Sequence, residues 1–554
     1  MRRALFILGA HMRGKLIKIV GFVATAMIGP IISAQQRPPN IVFLLADDLG
    51  WTDLSTQASS GGNGSKYHQT PNIDRLAREG MSFTNMHMCP NCVPSRAALM
   101  TGQYPVHDGV YNVGSLDRGK GVLTPPVQRE HILPEAVTVA ETLKIAGYVT
   151  AHVSKFHVAN HDEITRVHGF DFNYGGGKKG DGGPHGYFAV QEGGRWTFAN
   201  MGPEMDAFAA PYTSEYVAKN LTPYANENDP QKLVGTRKHL TDATADAAVD
   251  FISHHHDKPF FINVAFNAVH AAIKARPDLQ AKWNKIQSQD PRHGRADYAA
   301  LLEGEDQAIG RILHVLEDPN GDGDTSDSVV KNTLVILTSD NGGFGGSTNN
   351  APLRQAKGTF YEGGLRVPVI ARLPGVVKEG STNDALLNVV DWYPTFADLA
   401  GAKLPAPSTH ILDGESFAPI LRGESPDVKR EAIYYHFPGY LDNRAFPSSM
   451  IIKRLNGQQF KLFYSYEDQH YELYNLSEDL SEKHDLLQGK VAEKSLAVAK
   501  DLRDDLRGWL ERVNPLYPTT KSGEKVPLPI GIDEALRAGN RVTRQMIAPK
   551  SGAD

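Results

Sequence analysis

The feature that most constrains the fold is a run of seven residues, 40–46, that reads Asn-Ile-Val-Phe-Leu-Leu-Ala and stops at Asp47-Asp48. Its apolar side chains do not alternate with polar ones, which is typical of a strand buried on both faces of a sheet. A short helix is predicted next, with Asn72 as its N-cap and Gly80 as its end. A strand followed by a helix indicates an α/β pattern.

The alternation of strands and helices continues along the chain. We predict helices over 137–146 and 298–316, and strands over 148–153, 260–266 and 333–338. Parallel strands joined by helices give a sheet covered on both faces, and ligands bind beyond the carboxyl ends of its strands. The predicted fold class is therefore α/β, with a large, mainly parallel sheet sandwiched by helices.

Oxygen-bearing side chains follow two of these strands at the point where each strand ends. Asp47 and Asp48 follow the first strand, and Asp340 and Asn341 follow the strand over 333–338. Because such strand ends meet along one edge of the sheet, we expect the four side chains to lie together. A single acidic pair is more often just the solvated end of a strand. Two pairs at two buried strands favour a site for Ca²⁺ or Mg²⁺ rather than zinc.

The chain has only two cysteines, Cys89 and Cys92, so it does not rely on a disulfide framework. Two cysteines separated by two residues are also typical of a thioredoxin-like redox site. Such a site would have to open a helix just after a strand, whereas Cys92 continues into Val93-Pro94-Ser95-Arg96, which has no role in dithiol chemistry. A thiol-disulfide protein is the remote alternative, and it predicts a reversible bond between the two cysteines.

The segment from Cys92 to Pro105 resembles the signature of the formylglycine-dependent sulfatases, which belong to the alkaline-phosphatase-like superfamily. In that family a maturation enzyme recognises the Cys, Pro and Arg of this motif. The resemblance extends over nearly the whole chain after its first 38 residues. Its further matching segments are 39–48, 70–80, 147–150, 155–157, 259–270, 338–342, 357–368, 391–401, 413–416 and 473–476.

The resemblance implies a role for each residue of a catalytic site. Formylglycine made from Cys92 is the implied nucleophile, and Arg96 is implied to hold it. Basic side chains are needed because a sulfate ester is anionic and its transition state spreads negative charge over the oxygens. The implied catalytic residues are Cys92, Arg96, Lys155, His157, His270 and Lys357, of which Lys155, His270 and Lys357 bind the substrate, and the implied calcium ligands are Asp47, Asp48, Asp340, Asn341 and the modified Cys92.

Proton transfer is divided between two histidines in this implied mechanism. His270, with help from Lys357, would protonate the departing alcohol, and His157 or a neighbouring acidic group would help release the sulfate. Glu362 and Arg366 are predicted instead to form a structural ion pair beside the site.

Four neighbours of these residues depart from the family pattern. Ser154 and Phe156 stand where Gly and Trp are usual, Ala159 replaces a Gly, and Val269 replaces a common Pro. The reactive side chains are intact, so these departures bear on the shape of the pocket more than on activity.

Beyond residue 430 the sequence becomes rich in aromatic residues. Strands are predicted over 432–437, 460–466 and 471–476, followed by an amphipathic helix over 492–513, which indicates a small antiparallel sheet with a helix. The predicted division is a signal peptide over 1–34, a catalytic domain over 38–425, a smaller C-terminal α+β domain over 426–514 and an extended tail over 515–554.

The first 34 residues combine a basic start with an apolar stretch over 19–32, which is typical of a signal peptide and short for a membrane span. An uncleaved anchor is the alternative. The protein is predicted to be exported, to the periplasm or outside the cell, without a stable membrane span. The formal net charge of −5 offers no basic field for nucleic acid.

The sequence therefore predicts a sulfuric ester hydrolase with a calcium ion, matured by a formylglycine-generating enzyme. The predicted substrate is a sulfated polysaccharide or oligosaccharide, and the loop over 175–186 is a candidate sugar-facing rim. A phosphate or phosphonate ester hydrolase of the same superfamily is the alternative. The acidic run over 318–327 resembles the start of a calcium loop but lacks an acid at the twelfth position, so a solvated connection is preferred to a second calcium site.

Overall fold

A computed structural model describes residues 37–179 and 186–538. The predicted signal peptide, residues 180–185 of the predicted rim and the last part of the predicted tail lie outside these ranges. Within them, no helix combines the length and the apolarity that crossing a bilayer requires.

The described residues form seventeen strands. They are β1 (Asn40–Ala46), β2 (Met81–His87), β3 (Asp117–Arg118), β4 (Val149–Ser154), β5 (Phe172–Tyr174), β6 (Val190–Glu192), β7 (Arg195–Thr197), β8 (Phe260–Ala265), β9 (Thr333–Ser339), β10 (Arg366–Arg372), β11 (Ser381–Asn383), β12 (Leu387–Asn388), β13 (Ala432–Phe437), β14 (Tyr440–Leu441), β15 (Ser448–Leu455), β16 (Gln458–Ser465) and β17 (Tyr471–Asn475).

The α-helices of the same residues lie between and around these strands. They are α1 (Pro71–Glu79), α2 (Cys92–Thr101), α3 (Pro105–Asp108), α4 (Val139–Ile145), α5 (His161–Arg166), α6 (Ser214–Asn220), α7 (Leu240–His255), α8 (Pro277–Trp283), α9 (Ala296–Val315), α10 (Glu362–Leu365), α11 (Trp392–Ala400), α12 (Ala418–Leu421), α13 (Glu493–Val513) and α14 (Ile532–Ala538). Short 3-10 helices cover Ala58–Ser60, Pro203–Phe208, Thr222–Tyr224, Pro230–Leu233, Thr325–Asp327, Val330–Asn332 and Val389–Asp391.

Nine of the described strands form one large sheet in the order β11-β2-β10-β9-β1-β8-β4-β5, with β12 also paired to β2. β1 lies between β8 and β9 and is parallel to both. β4 continues the parallel array beyond β8, while β10 runs antiparallel to β9 and β2. The predicted mainly parallel α/β sheet is confirmed.

The side chains of β1 are buried on both faces of this sheet, as the absence of alternation predicts. Ile41, Phe43 and Leu45 pack into one hydrophobic core and Val42 and Leu44 into another. The first core includes residues of α2, α4 and α11, and the second includes residues of α1, α7, α8 and α9. Helices therefore cover both faces of the sheet, and the carboxyl ends of its strands are left as the place for a binding site.

A second sheet of four antiparallel strands has the order β13-β15-β16-β17, and α13 packs on β15. The apolar stripe of α13 is buried at Leu502, Leu506 and Leu510. These residues belong to the same hydrophobic core as one face of the large sheet. The described segment after α13 folds back along the molecule, where Thr519 pairs with Thr124, and it includes α14, so it is not extended throughout.

Two kinds of detail differ from the predictions. α1 begins at Pro71 after Thr70, so the N-cap prediction for Asn72 is wrong; the Asn72 amide instead donates to Asp306 of α9 at 2.8 Å. The longer strands β2, β10 and β15 were not predicted, nor were the short strands β3, β5, β6, β7, β11, β12 and β14. β2 has a mixed polar sequence although all but one of its residues are buried, so hydrophobicity alone does not mark it.

Candidate active site

The carboxyl ends of four parallel strands, in the spatial order β9-β1-β8-β4, supply most of the candidate site. Backbone hydrogen bonds fix the segments just beyond these ends. The Asp340 amide donates to Ala46 at 3.1 Å, the Asp47 amide to Ala268 at 2.8 Å, and the Lys155 amide to Ala265 at 3.0 Å. The expected meeting of the two acidic pairs at one edge of the sheet is thus what the structure has.

The acidic side chains at this edge are almost completely buried. Asp47, Asp340 and Asn341 have no exposed surface, and Asp48 is 2% exposed. The Asn341 amide donates to Asp48 Oδ1 at 2.7 Å, and the Asp48 backbone amide donates to Asp340 Oδ1 at 3.2 Å. Asp48 has a left-handed backbone, φ 63°, a conformation that is uncommon outside glycine and that aspartate adopts more readily than most residues.

Three buried cations balance the three carboxylates. Arg96 binds Asp340 through Nε at 2.9 Å and Nη2 at 2.8 Å. Lys357 contacts Asp48 Oδ1 at 2.7 Å, and Lys155 contacts Asp47 Oδ2. Charges this deeply buried are tolerated only when they are paired, so each acid and each base requires the others to remain in place.

The pKa values of the two central acids are shifted in opposite directions. Burial would raise the pKa of Asp48, but Lys357 and His270 outweigh burial and lower it. Burial and the charge of Asp47 raise the pKa of Asp340 to about 6, although Arg96 opposes them. Burial would lower the pKa of Lys357, but Asp48 raises it above its ordinary value.

The acids fit a hard cation. Asp47 Oδ1 and Asn341 Oδ1 are buried and have no hydrogen-bond partner among the described residues. Burying such oxygens costs free energy unless they coordinate a cation. Carboxylate and amide oxygens suit Ca²⁺ or Mg²⁺. Asp47, Asp48 and His270 also place one ligand atom each within 4.8 Å of the others, so His270 reaches the same place from the loop after β8. A cation there would give the balanced site a net positive charge, which favours an anionic substrate.

Cys92 is the first residue of α2 and is 3% exposed. Burial raises the pKa of its thiol, although Lys155 and Lys357 oppose burial, so the unmodified residue holds its proton. Because α2 follows β2, the expectation that Cys92 would not open a helix after a strand is wrong, and that argument against a dithiol site fails.

The geometry around the two sulfur atoms nevertheless separates them. Both cysteines are free; Cys92 lines the cavity beside Lys155 and Lys357, whereas Cys89 lines a separate small apolar pocket with Tyr435. Burial raises the pKa of Cys89 well above its ordinary value. A buried thiol with such a pKa is a poor participant in thiol exchange.

The two histidines face the same cavity. Burial and Lys155 hold the pKa of His157 well below its usual range, and burial and Lys357 lower the pKa of His270 to about 4. His270 Nδ1 contacts the Ala271 carbonyl, which can only accept, so this nitrogen carries the proton and Nε2 faces Asp48 Oδ2 at 3.8 Å. The Tyr187 hydroxyl fixes the His270 loop by donating to the His270 carbonyl at 2.8 Å.

One departure from the family pattern has a local explanation. Ser154 has a left-handed backbone, φ 71°, a conformation that glycine adopts without strain. Its hydroxyl donates to the Asn267 side chain at 2.8 Å, which ties the end of β4 to the loop after β8. Phe156 is buried and packs edge-on against His152. The substitutions therefore affect the support of Lys155 and His157 and leave both side chains at the cavity.

Part of this cluster lines one cavity of about 390 Å³. Cys92, Lys155, His157, His270 and Lys357 line it, whereas the acids and Arg96 do not. Sequence reasoning missed the residues of its outer part. These are Asn91, Val113, Arg118, Asn200, Phe344, Leu441 and Arg444. They come from distant parts of the chain, and no local pattern marks them. Lys178 and Lys179, which also line the outer part, belong to the segment predicted as a rim.

Glu362 and Arg366 form the expected ion pair, with Arg366 Nε 2.7 Å from Glu362 Oε2. Neither lines the cavity. His87 contacts the same carboxylate at 3.0 Å, and Lys461 of β16 contacts it at 3.3 Å. The Glu362 carboxylate therefore connects the large sheet to the second sheet through charges that water does not reach.

We expect Glu362→Ala to lower the free energy of unfolding by about 3–5 kcal/mol, because it leaves Arg366 and Lys461 buried without their shared partner. Denaturant titration measures this. The control is Glu478→Ala, which removes an exposed carboxylate and should change stability by less than about 0.5 kcal/mol. Equal effects of the two substitutions would contradict the structural role of the pair.

The acidic run over 318–327 does not gather its carboxylates around a common point. Asp318 and Asp324 instead accept hydrogen bonds from backbone amides of their own loop, and the loop is exposed. It is not among the described groups whose ligand atoms converge. The solvated connection that the sequence favours agrees with this geometry.

Known proteins resemble the chain in sequence and in fold. The sulfatase family profile matches residues 39–402, and the profile of the N-sulphoglucosamine sulphohydrolase C-terminal region matches residues 355–511. A sulfatase of Formosa agariphila is 45% identical over 544 residues, covering 93% of this chain and 97% of that protein. Human N-acetylgalactosamine-6-sulfatase is 34% identical over 417 residues, covering 73% and 69%. The crystal structure of Ps i-CgsB matches with a TM-score of 0.61 and 30% identity, covering 85% of this chain and 93% of that one.

Proposed function

Because the chain belongs to the sulfatase family and is a sulfatase, we propose that it removes sulfate from a sulfated oligosaccharide or polysaccharide through a formylglycine made from Cys92. One observation carries the proposal: Cys92 faces a cavity whose inner wall contains Lys155, Lys357 and two histidines, with three buried acids behind it. This arrangement is suited to an anionic ester and to a nucleophile at position 92.

The unmodified thiol is a weak candidate for the nucleophile because burial raises its pKa. A hydrated aldehyde on the Cβ atom of residue 92 carries two hydroxyls, one of which takes the position of the sulfur. That hydroxyl attacks the sulfur of the ester while the bond from sulfur to the alcohol oxygen breaks. Arg96, which is 3% exposed and bound to Asp340, stabilises the negative charge on the attacking oxygen.

The departing alcohol oxygen takes a proton from His270. His270 is the better donor because Lys357 has a raised pKa and therefore holds its proton more tightly. The anionic ester counteracts the lowering of the His270 pKa by Lys357, so the imidazole gains its second proton as the substrate binds. Lys155 and Lys357 bind the sulfate oxygens throughout.

The second hydroxyl allows the sulfate to leave. When it loses its proton, a carbon-oxygen double bond forms, the bond from this carbon to the sulfate oxygen breaks, and sulfate departs with both electrons. His157 is the candidate base, since its lowered pKa keeps the imidazole neutral and its Nδ1 is buried without a hydrogen-bond partner among the described residues, so the ring can accept a proton. Water then adds to the aldehyde and restores the hydrate.

Asp47, Asp48, Asp340 and Asn341 are the proposed ligands of a calcium ion, with the modified residue 92 as a fifth. When bound, the ion lowers the pKa of a neighbouring hydroxyl and offsets the negative charge of the sulfate. The unpaired oxygens of Asp47 and Asn341 support this assignment.

A glycan substrate is proposed from the chemistry of relatives. N-acetylgalactosamine-6-sulfatases match the chain at 32–34% identity, and Ps i-CgsB has been crystallised with k-i-k-neocarrahexaose. We also propose export after removal of residues 1–34, a maturation enzyme as partner, and the division of the mature chain into 38–425, 426–514 and 515–554. Because Cys92 is 3% exposed, its modification has to precede folding.

The function is tested by comparing hydrolysis of 4-nitrophenyl sulfate and 4-nitrophenyl phosphate by protein made together with the maturation enzyme. Sulfate hydrolysis at a higher kcat/KM supports the proposal, and preference for the phosphate would overturn it. A screen of sulfated oligosaccharides of defined linkage then identifies the sugar and the position of its sulfate.

We expect His270→Ala to lower kcat by about 10²–10⁴-fold, the usual contribution of a general acid. Calcium binding should be retained, because the four oxygen ligands remain. Turnover and calorimetric titration with calcium measure the two effects. Unchanged turnover would remove His270 from the mechanism, and loss of calcium binding would make it a metal ligand instead.

A further inference from the structure

The outer part of the cavity is strongly basic although the chain as a whole is not. Arg118, Lys178, Lys179 and Arg444 line it, in addition to the two lysines of the inner wall. None of the described lining residues is acidic, and the formal net charge of the chain is −5. Four cations at one opening therefore mark this place in particular and do not reflect a generally basic surface.

Arg444 is fixed beside the inner wall. Its side chain is only 11% exposed, and its Nη2 contacts Asp442 at 2.7 Å. A Cβ atom added to Gly358 would lie 2.8 Å from Arg444 Cδ, so the arginine packs directly on the backbone one residue after Lys357. A nearly buried guanidinium in this position is pre-organised, since little side-chain freedom remains to be lost when it binds a ligand.

Arg118 reaches the same place from another part of the chain. β3 and β14 pair in parallel, with Arg118 opposite Leu441, and this pairing brings the 117–118 segment against the turn that holds Arg444. Arg118 Nη2 contacts Asp442 at 3.3 Å. One carboxylate thus holds two guanidiniums, which leaves one positive charge uncompensated and several N–H donors available at the cavity.

Lys178 and Lys179 line the same cavity from a third segment of the chain and add to its positive charge. Both are exposed, and neither forms an ion pair with another described residue. A single ion pair with Asp442 would be enough to fix the contact between β3 and β14. A purely structural role of the arginines would also leave the two lysines at the same opening without an explanation.

We propose that Arg118 and Arg444, held by Asp442, form a second anion-binding site next to the one for the scissile sulfate. The substrate then carries a further sulfate or carboxylate on the same sugar or on its neighbour. This inference rests on the proposed glycan sulfatase function and specifies its substrate as a glycan with at least two anionic groups.

The test measures binding to protein whose Cys92 is unmodified, so that the probe is not consumed. The probes are lactose derivatives with one sulfate, with a second sulfate moved around the neighbouring ring, and with a carboxylate in place of the second sulfate. Isothermal titration calorimetry gives Kd for each. In the wild type we expect the best doubly charged probe to bind about 10–100-fold more tightly than the singly charged one, an effect consistent with charge-assisted bidentate contacts.

The variants are Arg118→Gln, Arg444→Gln and both together, with Lys331→Gln as the control for loss of an exposed charge elsewhere. In the double variant, the doubly charged probe should bind at most about 3-fold more tightly than the singly charged one, and its Kd should depend less on salt. In the control, the full advantage should persist. If a second sulfate and a carboxylate lower Kd to a similar extent, the site binds anions in general. If only the second sulfate lowers Kd, the site is specific for sulfate.

Two results would overturn the second site: no doubly charged probe binds more than about twice as tightly as the singly charged one, or the advantage survives in the double variant. Failure of the proposed function appears elsewhere, as lack of sulfate-ester hydrolysis by the formylglycine-bearing protein. The ratio of binding constants does not depend on that turnover, so the two failures are distinguishable.

Discussion

Cys92→Ala is expected to lower the turnover of sulfate esters by about 10⁴–10⁶-fold, which is the usual range for loss of a covalent nucleophile. The alanine fills nearly the same buried space at the start of α2, so the fold should persist. Hydrolysis of 4-nitrophenyl sulfate together with a thermal melt separates loss of chemistry from loss of structure.

Cys92→Ser tests the need for two hydroxyls. A serine oxygen can attack sulfur, but no second hydroxyl is present to expel the sulfate, so we expect at most one turnover and a protein that gains the mass of one SO₃ group. Intact-protein mass spectrometry after incubation with the ester measures this. Sustained turnover by the serine variant would contradict the formylglycine mechanism.

Cys89→Ala is the matched control because its sulfur lies in a separate apolar pocket. It should retain activity, and peptide mass measurement over 91–96 in the wild type should show formylglycine. A disulfide between Cys89 and Cys92 would instead support thiol-disulfide chemistry. Protein made without the maturation enzyme should fold and be nearly inactive.

The acids of the inner site were predictable from topology, whereas its cysteine, arginine, lysines and histidines were predicted from the resemblance to the sulfatases. In a parallel sheet the carboxyl ends of neighbouring strands point to one edge, so Asp47-Asp48 after β1 and Asp340-Asn341 after β9 had to approach each other once these strands were adjacent. A continuous apolar run, 41–46 in β1 and 334–337 in β9, marks both strands. The acidic residues therefore lie directly after strands that their apolar sequence identifies as buried.

The outer site was not predictable for the opposite reason. Arg118 and Arg444 meet through a two-residue strand pair between segments more than three hundred positions apart, and neither segment has a hydrophobic pattern. The antiparallel strand β10 was missed because its seven residues begin and end with buried arginines, and such residues usually indicate solvent exposure. Ion pairs with the buried Glu362 and with the partly exposed Glu79 explain why these arginines are tolerated.

The helix that begins at Cys92 shows how a local motif can have two interpretations. A helix N-terminus lowers the pKa of a cysteine in redox proteins. Here burial outweighs that effect, and the helix places residue 92 at the cavity together with Lys155 and Lys357. The same motif is compatible with a redox-active thiol and with a cysteine that is converted to formylglycine. The groups that surround residue 92 in the folded protein favour the second interpretation.

Asp340→Asn is expected to lower turnover by about 10³-fold or more, since it removes a charged ligand of the proposed calcium ion and the partner of Arg96. It should also abolish stabilisation by calcium. A ligand at 100 times its Kd stabilises the folded protein by about 2.7 kcal/mol, so the wild type should melt at a higher temperature with calcium than with a chelator. The variant should melt at the same temperature in both conditions.

Loss of the Asp340 charge also leaves Arg96 with weaker pairing, which can lower stability without any ion. Asn341→Ala separates the two effects because it removes one unpaired ligand oxygen and no charge. In chelator its melting temperature should fall only by the loss of the hydrogen bond to Asp48, because Arg96 keeps its partner, and most of the calcium-dependent increase should be lost. Asp324→Asn, in the exposed acidic loop, is the control that should keep the full increase. An increase retained in Asn341→Ala but lost in Asp324→Asn would place the stabilising calcium in the 318–327 loop, and the acids at the strand ends would then act only as partners of Arg96, Lys155 and Lys357.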